Sequence, residues 1–283
     1  MASKNTILEG SIVIALTRFA VPMLFSLILQ ALYGAVDLWM VSRFALNADV
    51  SAVSTGSQTM LIVNGIVTGL AMGITILLGQ SVGEGNANQS ARVIGTSTWI
   101  FAALALGLTL LLLTGAPTLT TALHAPVEAY QRTVHYIMIC GAGTVFVVGF
   151  NVLNGIFCGL GDAKTPLYFV MIACAVNIVA DYVFIAHVGL GAEGAAVATI
   201  AAQAVSVVFA LALIKRRLPF EMHRADFGAE RALAVNILKL GIPVALLRMA
   251  NEISYLIILG FVNTLGVVAS SGVGIAEKLV MFI

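Results

Sequence analysis

Charge is what this 283-residue sequence has least of. Asp, Glu, Lys and Arg make up 10% of it against 60% apolar residues, and they nearly cancel, 14 basic against 13 acidic. A soluble globular chain carries about 25% charged residues. Here the shortfall is filled with Leu, Ile, Val and Ala, giving a mean hydropathy of +1.04. Such scarcity excludes a soluble enzyme, a disordered chain and an electrostatic nucleic-acid binder, which needs a basic surface. Cysteine is also rare. Cys140, Cys158 and Cys174 lie far apart in apolar runs with no CxxC or Cys/His ligand spacing, which excludes a disulfide scaffold and reads as small buried hydrophobes. His124, His135, His187 and His223 show no ligand spacing either. What remains is an integral membrane protein.

A membrane helix needs about 20 mostly apolar residues. Candidate spans lie at roughly 15–41, 54–80, 92–115, 132–158, 167–187, 192–214 and 236–262, and an eighth starts near 267. None shows the period-two alternation of barrel strands, so the fold class is an all-α bundle. Met1 to Gly10 is short and polar, and the first apolar run is too long for a signal-peptide core, so no cleavable leader is expected. With the N-terminus inside, Lys4, Arg18, Arg92, Lys164, Lys215, Arg216, Arg217, Arg224, Arg231 and Lys239 fall on the cytoplasmic side, and only Arg43 and Arg132 on the other. That bias predicts a multi-pass protein of a cell (inner) membrane with a cytoplasmic N-terminus.

The one long charged loop, Lys215 to Glu230, is the expected boundary. It sets apart a six-helix lobe at 1–214, a linker at 215–234, and the start of a second lobe at 235–283. Phe19-Ala20-Val21-Pro22 can be laid on Leu240-Gly241-Ile242-Pro243, and Ala52 to Gly56 on Ser271 to Ile275. Weak ordered symmetry of this kind is typical of transporters built from two bundles around a central site. Because the sequence stops inside an apolar run at Leu279 to Ile283, the second bundle is expected to be incomplete, ending after its first one and a half to two helices.

Ionisable residues inside the bilayer are expensive, about 2.5–3.5 kcal/mol each on insertion scales, and mark function by default. Asp37 in the first span and Asp181 in the fifth are the clearest, neither with a Lys or Arg within one helical turn. Gln30, Tyr33 and Asp37 share a helix face, as do Asn177 and Asp181, and Asn151 and Asn154. With Thr199 in the sixth span, these residues supply a set of oxygen ligands suited to a proton or a small hard cation rather than a transition metal. Two carboxylates in one low-dielectric chamber repel each other's ionisation, which suits a cycle of ion uptake and release. The competing reading for the asparagines is hydrogen bonding between helices.

Other signals are weaker. Gly65, Gly69 and Gly73 form a small-residue stripe that reads as close helix packing. Pro22 is expected to bend the first span and could serve as a gating kink. Gly189 to Gly194 matches GxGxxG without a surrounding βαβ unit, so it reads as a loop. Arg248 and Glu252, four residues apart, read as a helical pair, with Glu252 a candidate for a second-lobe site.

Gly159-Leu160-Gly161-Asp162-Ala163-Lys164-Thr165-Pro166 resembles the loop after the fourth helix in the multidrug and toxic compound extrusion (MATE) family. Gly79-Gln80-Ser81-Val82-Gly83-Glu84-Gly85 and Gly191 to Thr199 continue the resemblance across the chain. It implies two facing six-helix bundles that export cationic or amphipathic drugs against inward flow of Na⁺ or H⁺, with that ion as the only cofactor-like species. It implies a first-lobe cation site at Asp37, Asn177, Asp181 and Thr199, and cavity positions at Gln30, Tyr33, Asn151 and Asn154. Expected partners are a small-molecule substrate and membrane lipids, with no nucleic acid and a monomeric state. A lipid-linked oligosaccharide flippase shares the two-bundle plan, but would want basic residues in its cavity, and none lies in the interior of spans two to six. Gly159 to Asp162 also reads as the GxGD of an intramembrane aspartyl protease, yet here it falls in a turn, and the nearest acid–tyrosine pair is the reversed Asp181-Tyr182.

Overall fold

Long apolar runs in a bilayer have to satisfy their backbone groups internally, which a helix does along its whole length. The computed structural model describes residues 12–280, and most of these are helical. The helices are α1 (Ile12–Phe44), α2 (Asn47–Gly83), α3 (Ala87–Ala122), α4 (Val127–Ala142), α5 (Thr144–Gly159), α6 (Lys164–Asp181), α7 (Gly191–Arg217), α8 (Arg231–Asn263) and α9 (Val267–Val280). Six of them are long and apolar enough to cross a membrane, and α4 with α5, bent by 51° where they meet, is apolar enough to make a seventh if the two are one span. Residues 1–11 and 281–283, and the side chains of Lys215 and of residues 277–280, lie outside the described residues.

Short turns alternate between two ends of the bundle. One carries Arg92, Lys164, Arg216, Arg217, Arg224 and Arg231 and is here termed the basic end. Polar side chains set the turns there. Asn86 accepts the Gln89 N–H at 3.0 Å to start α3. Asp162 accepts the N–H groups of Lys164 and Thr165, each at 3.1 Å, and the Thr165 hydroxyl at 2.5 Å, to start α6. The GxGD aspartate is therefore a helix cap, occupied by its own turn.

A sharp bend of 51° falls at Gly143, between α4 and α5. α1 runs unbroken through its proline, and Ser26 donates to the Pro22 carbonyl at 2.9 Å. At Gly143, by contrast, the Ile200 side chain of α7 crowds the space where a Cβ would stand. The last turn of the fifth span also departs from the sequence expectation, as Tyr182–His187 is wound as a π-helix directly after Asp181.

α2 is the hub. Its residues 49–56 are buried without interruption, and its lower half joins one core with α3, α4, α5 and α8. A second core joins α1, α2, α4 and α7 through Val41, Val53, Tyr136 and Ala196. Phe157 and Phe169, edge to face at 5.3 Å, centre a third between α5, α6 and α7. Outward faces carry exposed Leu110, Leu111 and Val208, as a bilayer solvent permits.

The glycine stripe of α2 packs against α8. A Cβ on Gly69 would fall on the Ala245 backbone, one on Gly73 would strike the Ile237 carbonyl, and Gly241 lies equally close to Leu70. Small residues let two membrane helices approach backbone to backbone, where dispersion between them is strongest. α1 and α8 have matching anatomy: each is 33 residues long, carries a proline in its fourth turn, and leads through a short turn into the next helix. The charged segment between α7 and α8 is not a free tether. Trp99 Nε1 donates to the Phe227 carbonyl at 2.7 Å, the Thr96 hydroxyl donates to Gly228 O at 3.2 Å, and Arg92 pairs with Glu230.

Candidate functional site

The site begins with the approach of α1 to α6. The 30–33–37 face of α1 turns Asp37 into the bundle, where it is 8% exposed, and α6 presents Asn177 and Asp181, 1% and 0% exposed. The two carboxyl groups lie close enough for each to feel the other's charge. Tyr33 stands within the same electrostatic reach of Asp37 and of Cys174 on the facing α6.

Among the described residues, neither carboxylate oxygen of Asp181 and neither polar atom of the Asn177 amide has a hydrogen-bond partner. Unmade bonds at buried polar atoms cost about 1–3 kcal/mol each, more for a charge, so native folds seldom tolerate four together without a use for them. Asp181 is also the residue at which α-helix gives way to the π-turn. Such local rewinding frequently marks functional positions, because it frees carbonyls and re-aims side chains.

The remaining predicted residues divide. Gln30 is half-buried on α1, and Thr199 is half-buried on α7, which packs against α6. Asn151 belongs elsewhere. Its amide donates to Asn64 Oδ1 and to the Val147 carbonyl, both at 2.9 Å, and its Oδ1 accepts from Thr68 at 2.8 Å, so it ties α5 to α2. Asn154 accepts only the Cys158 thiol, at 3.5 Å. Arg248 and Glu252 form no ion pair with each other. Arg248 is exposed, and both side chains lie beside Gly65 of α2, whose missing side chain makes room for them.

Sequence reasoning passed over two contributors. Tyr136 of α4 is 3% exposed, and both aspartates act on its hydroxyl; its ring fits against Gly56, where a Cβ would collide with it. Cys140, one turn further on, also lies within reach of Asp37. Their signal was a lone phenol in an apolar run, which reads equally well as core.

A third buried aspartate, Asp49 of α2, shows what a satisfied carboxylate looks like in this fold. It pairs with Arg132 of α4, and accepts the Leu46 N–H at 3.1 Å and the Ala192 N–H at the start of α7 at 3.0 Å. Gly191, at φ +53°, lies flat against it, a position where any side chain would land on the carboxylate.

Comparison with known proteins follows from this geometry. Residues 22–183 match the family model described as MatE. The chain is 29% identical to a probable multidrug resistance protein, YpnP, of Bacillus subtilis (strain 168), over 96% of this chain and 61% of that protein. It is 25% identical to the multidrug export protein MepA of Staphylococcus haemolyticus, over 97% and 61%. The crystal structure of a MATE protein in the straight conformation superposes with a TM-score of 0.86 at 25% identity, covering 100% of this chain and 64% of that one. An outward-facing multidrug resistance MATE transporter gives 0.82 at 26% identity, over 98% and 61%. The chain thus spans about 60% of the length of the relatives it matches. The family model covers more than half of the chain and the whole of the α1–α6 site, and on that ground the chain belongs to the MatE family.

Proposed function

We propose that this chain forms the ion-binding repeat, and the start of the second repeat, of a cation-coupled exporter. The exporter carries amphipathic or cationic compounds out of the cell by alternating access. The observation that carries the proposal is the buried group at α1 and α6, where Asp181 and Asn177 have four polar atoms without partners among the described residues, beside the Asp37 carboxyl. Such a group can take either a proton or Na⁺: oxygen donors suit a hard cation, and a proton neutralises one acid of the pair. The names of the relatives, multidrug resistance and multidrug export proteins, give the substrate class.

Uptake of the ion removes the repulsion between the two carboxylates and draws α1 toward α6. A ligand shifts a two-state equilibrium only by its differential affinity for the two states, and this electrostatic relief is the difference available here. With the basic end in the cytoplasm, the ion enters from outside and substrate leaves as the repeats exchange orientation. The protein acts as a transporter and not as an enzyme, and its substrate changes sides without changing covalent bonds. A flippase reading gains nothing from the site, whose charged members are acids.

The test is efflux of ethidium from cells producing the protein. Asp37→Asn and Asp181→Asn are expected to abolish it at unchanged membrane abundance, while Asn151→Ala lowers stability and leaves coupling intact. Imposing a Na⁺ gradient and a pH jump separately identifies the ion. Efflux by Asp181→Asn at the wild-type rate would overturn the assignment.

A further inference from the structure

A large cavity lies outside the α1–α6 site. It is a crevice of about 1160 Å³ on the outer side of the bundle, with α5 as its floor and α3 and α7 as its walls. Phe101, Ala105, Val152 and Leu211 are among its lining residues, so the lower part is apolar. Along α3 it extends from Ile94 to Ala105, about 16 Å at 1.5 Å per residue. That is close to one leaflet, half of a hydrocarbon core about 30 Å thick. At the basic end the wall changes character, and Leu218 to Arg224 and Phe227, the connector between α7 and α8, close over it. Arg224 and His223 line that rim together with Glu221, and exposed Arg216 and Arg217 immediately precede it. The Asp226 carboxylate is engaged by the His223 N–H at 2.7 Å, and Glu230 by Arg92, which leaves Glu221 as the rim's remaining acid.

We propose that this crevice is a binding site for an anionic phospholipid of the leaflet at the basic end. One acyl chain lies along α5 between α3 and α7, and the phosphate meets Arg224 and the Arg216–Arg217 pair. Apolar depth equal to one leaflet, open sideways to the bilayer and capped by cations at headgroup level, is the complement of such a lipid. Basic pockets between membrane helices recognise anionic headgroups by the same chemistry. The connector that roofs the crevice also joins the two repeats and is held to α3 through Trp99, Thr96 and Arg92. A lipid seated beneath it therefore bridges the first repeat and the strap to the second. The proposal needs only that the bundle is embedded in a bilayer, and is independent of the ion site.

The experiment is native mass spectrometry of the purified protein in detergent, titrated separately with palmitoyl-oleoyl phosphatidylglycerol and with the phosphatidylcholine of the same chains. Phosphatidylglycerol is expected to be retained as one adduct that survives activation, and phosphatidylcholine to be lost first. Arg224→Ala should weaken phosphatidylglycerol retention about fivefold and Arg224→Glu about thirtyfold, the scale of one and two charges at a membrane surface. Gly149→Leu tests the apolar part. Gly149 lies on the α5 floor, where a Cβ meets Val207 at 3.5 Å, so a leucine fills the slot and should abolish retention of either lipid. Equal retention of the two lipids by the wild type would overturn the proposal without reference to any variant. So would unchanged phosphatidylglycerol binding in Gly149→Leu, or displacement of the lipid by ethidium at efflux concentrations.

Discussion

Two regions of this bundle bury aspartate, and they treat it in opposite ways. At the end away from the basic loops, Asp49 is enclosed by Arg132, two backbone N–H groups and the bare Gly191, so every element that meets there contributes a bond. In the α1–α6 group, Asp181 is buried as fully as Asp49, with its two oxygens and the Asn177 amide given no bond by the described residues. Burial is the same; satisfaction is not. A carboxylate with a full set of donors joins helices, and one held without them beside a second acid is the arrangement that the proposed ion exchange requires. This separates structural from functional charge in a membrane protein better than depth alone.

The sharpest way to break the comparison is to neutralise each acid in turn. Asp181→Asn should eliminate coupled efflux while the melting temperature in detergent is held or raised, since a buried charge lacking partners is relieved. Arg132→Met should do the reverse, leaving Asp49 a buried charge with only its backbone donors. Breaking buried pairs costs about 3–5 kcal/mol, and the lower figure applies because Arg132 keeps partial solvent contact. Thermal denaturation of the two variants side by side checks both. If Arg132→Met is as stable as wild type, the distinction between the regions fails.

A smaller effect is expected where the second repeat grips the first. Gly69→Ala forces the α2 and α8 backbones apart, and overpacking of this kind costs about 1–3 kcal/mol. Protease sensitivity of the 218–230 connector should rise with it. The smallest effect belongs to His135 and Glu193, an exposed pair at 2.6 Å that spans α4 and α7. His135→Ala should change stability by less than about 1 kcal/mol, as solvent-exposed pairs do. A larger loss would mean that this seam depends on more than the Asp49 group.

The spans were legible from apolar run length, and the repeat from the placement of Pro22 and Pro243, because both are properties of local sequence. The Asp37 and Asp181 group was legible because acids inside apolar runs are expensive wherever they sit. Asp49 was not, since it stands near a helix start where an acid needs no explanation, and its partner Arg132 lies 83 residues away. Asn151 carried the same polar signal as Asn177, and only the neighbouring helix decides between glue and site. α2 supplies Asn64 and Thr68 to the first, whereas no described residue bonds the second. The bend at Gly143 has the same origin. Proline weakens a helix locally, but α1 stays whole, and α7 presses Ile200 into the α4–α5 junction where only glycine fits. Sequence patterns mark which side chains are unusual, and packing assigns what each one does.

Ion uptake by the purified protein tests the central claim most directly. Titration with Na⁺, and in parallel proton release on a pH step, should show one cation or proton bound per wild-type chain and the same stoichiometry in Asp49→Asn. Asp181→Asn should show none. Full uptake by Asp181→Asn, or its loss in Asp49→Asn alone, would place the exchanging acid in the other region and contradict the account.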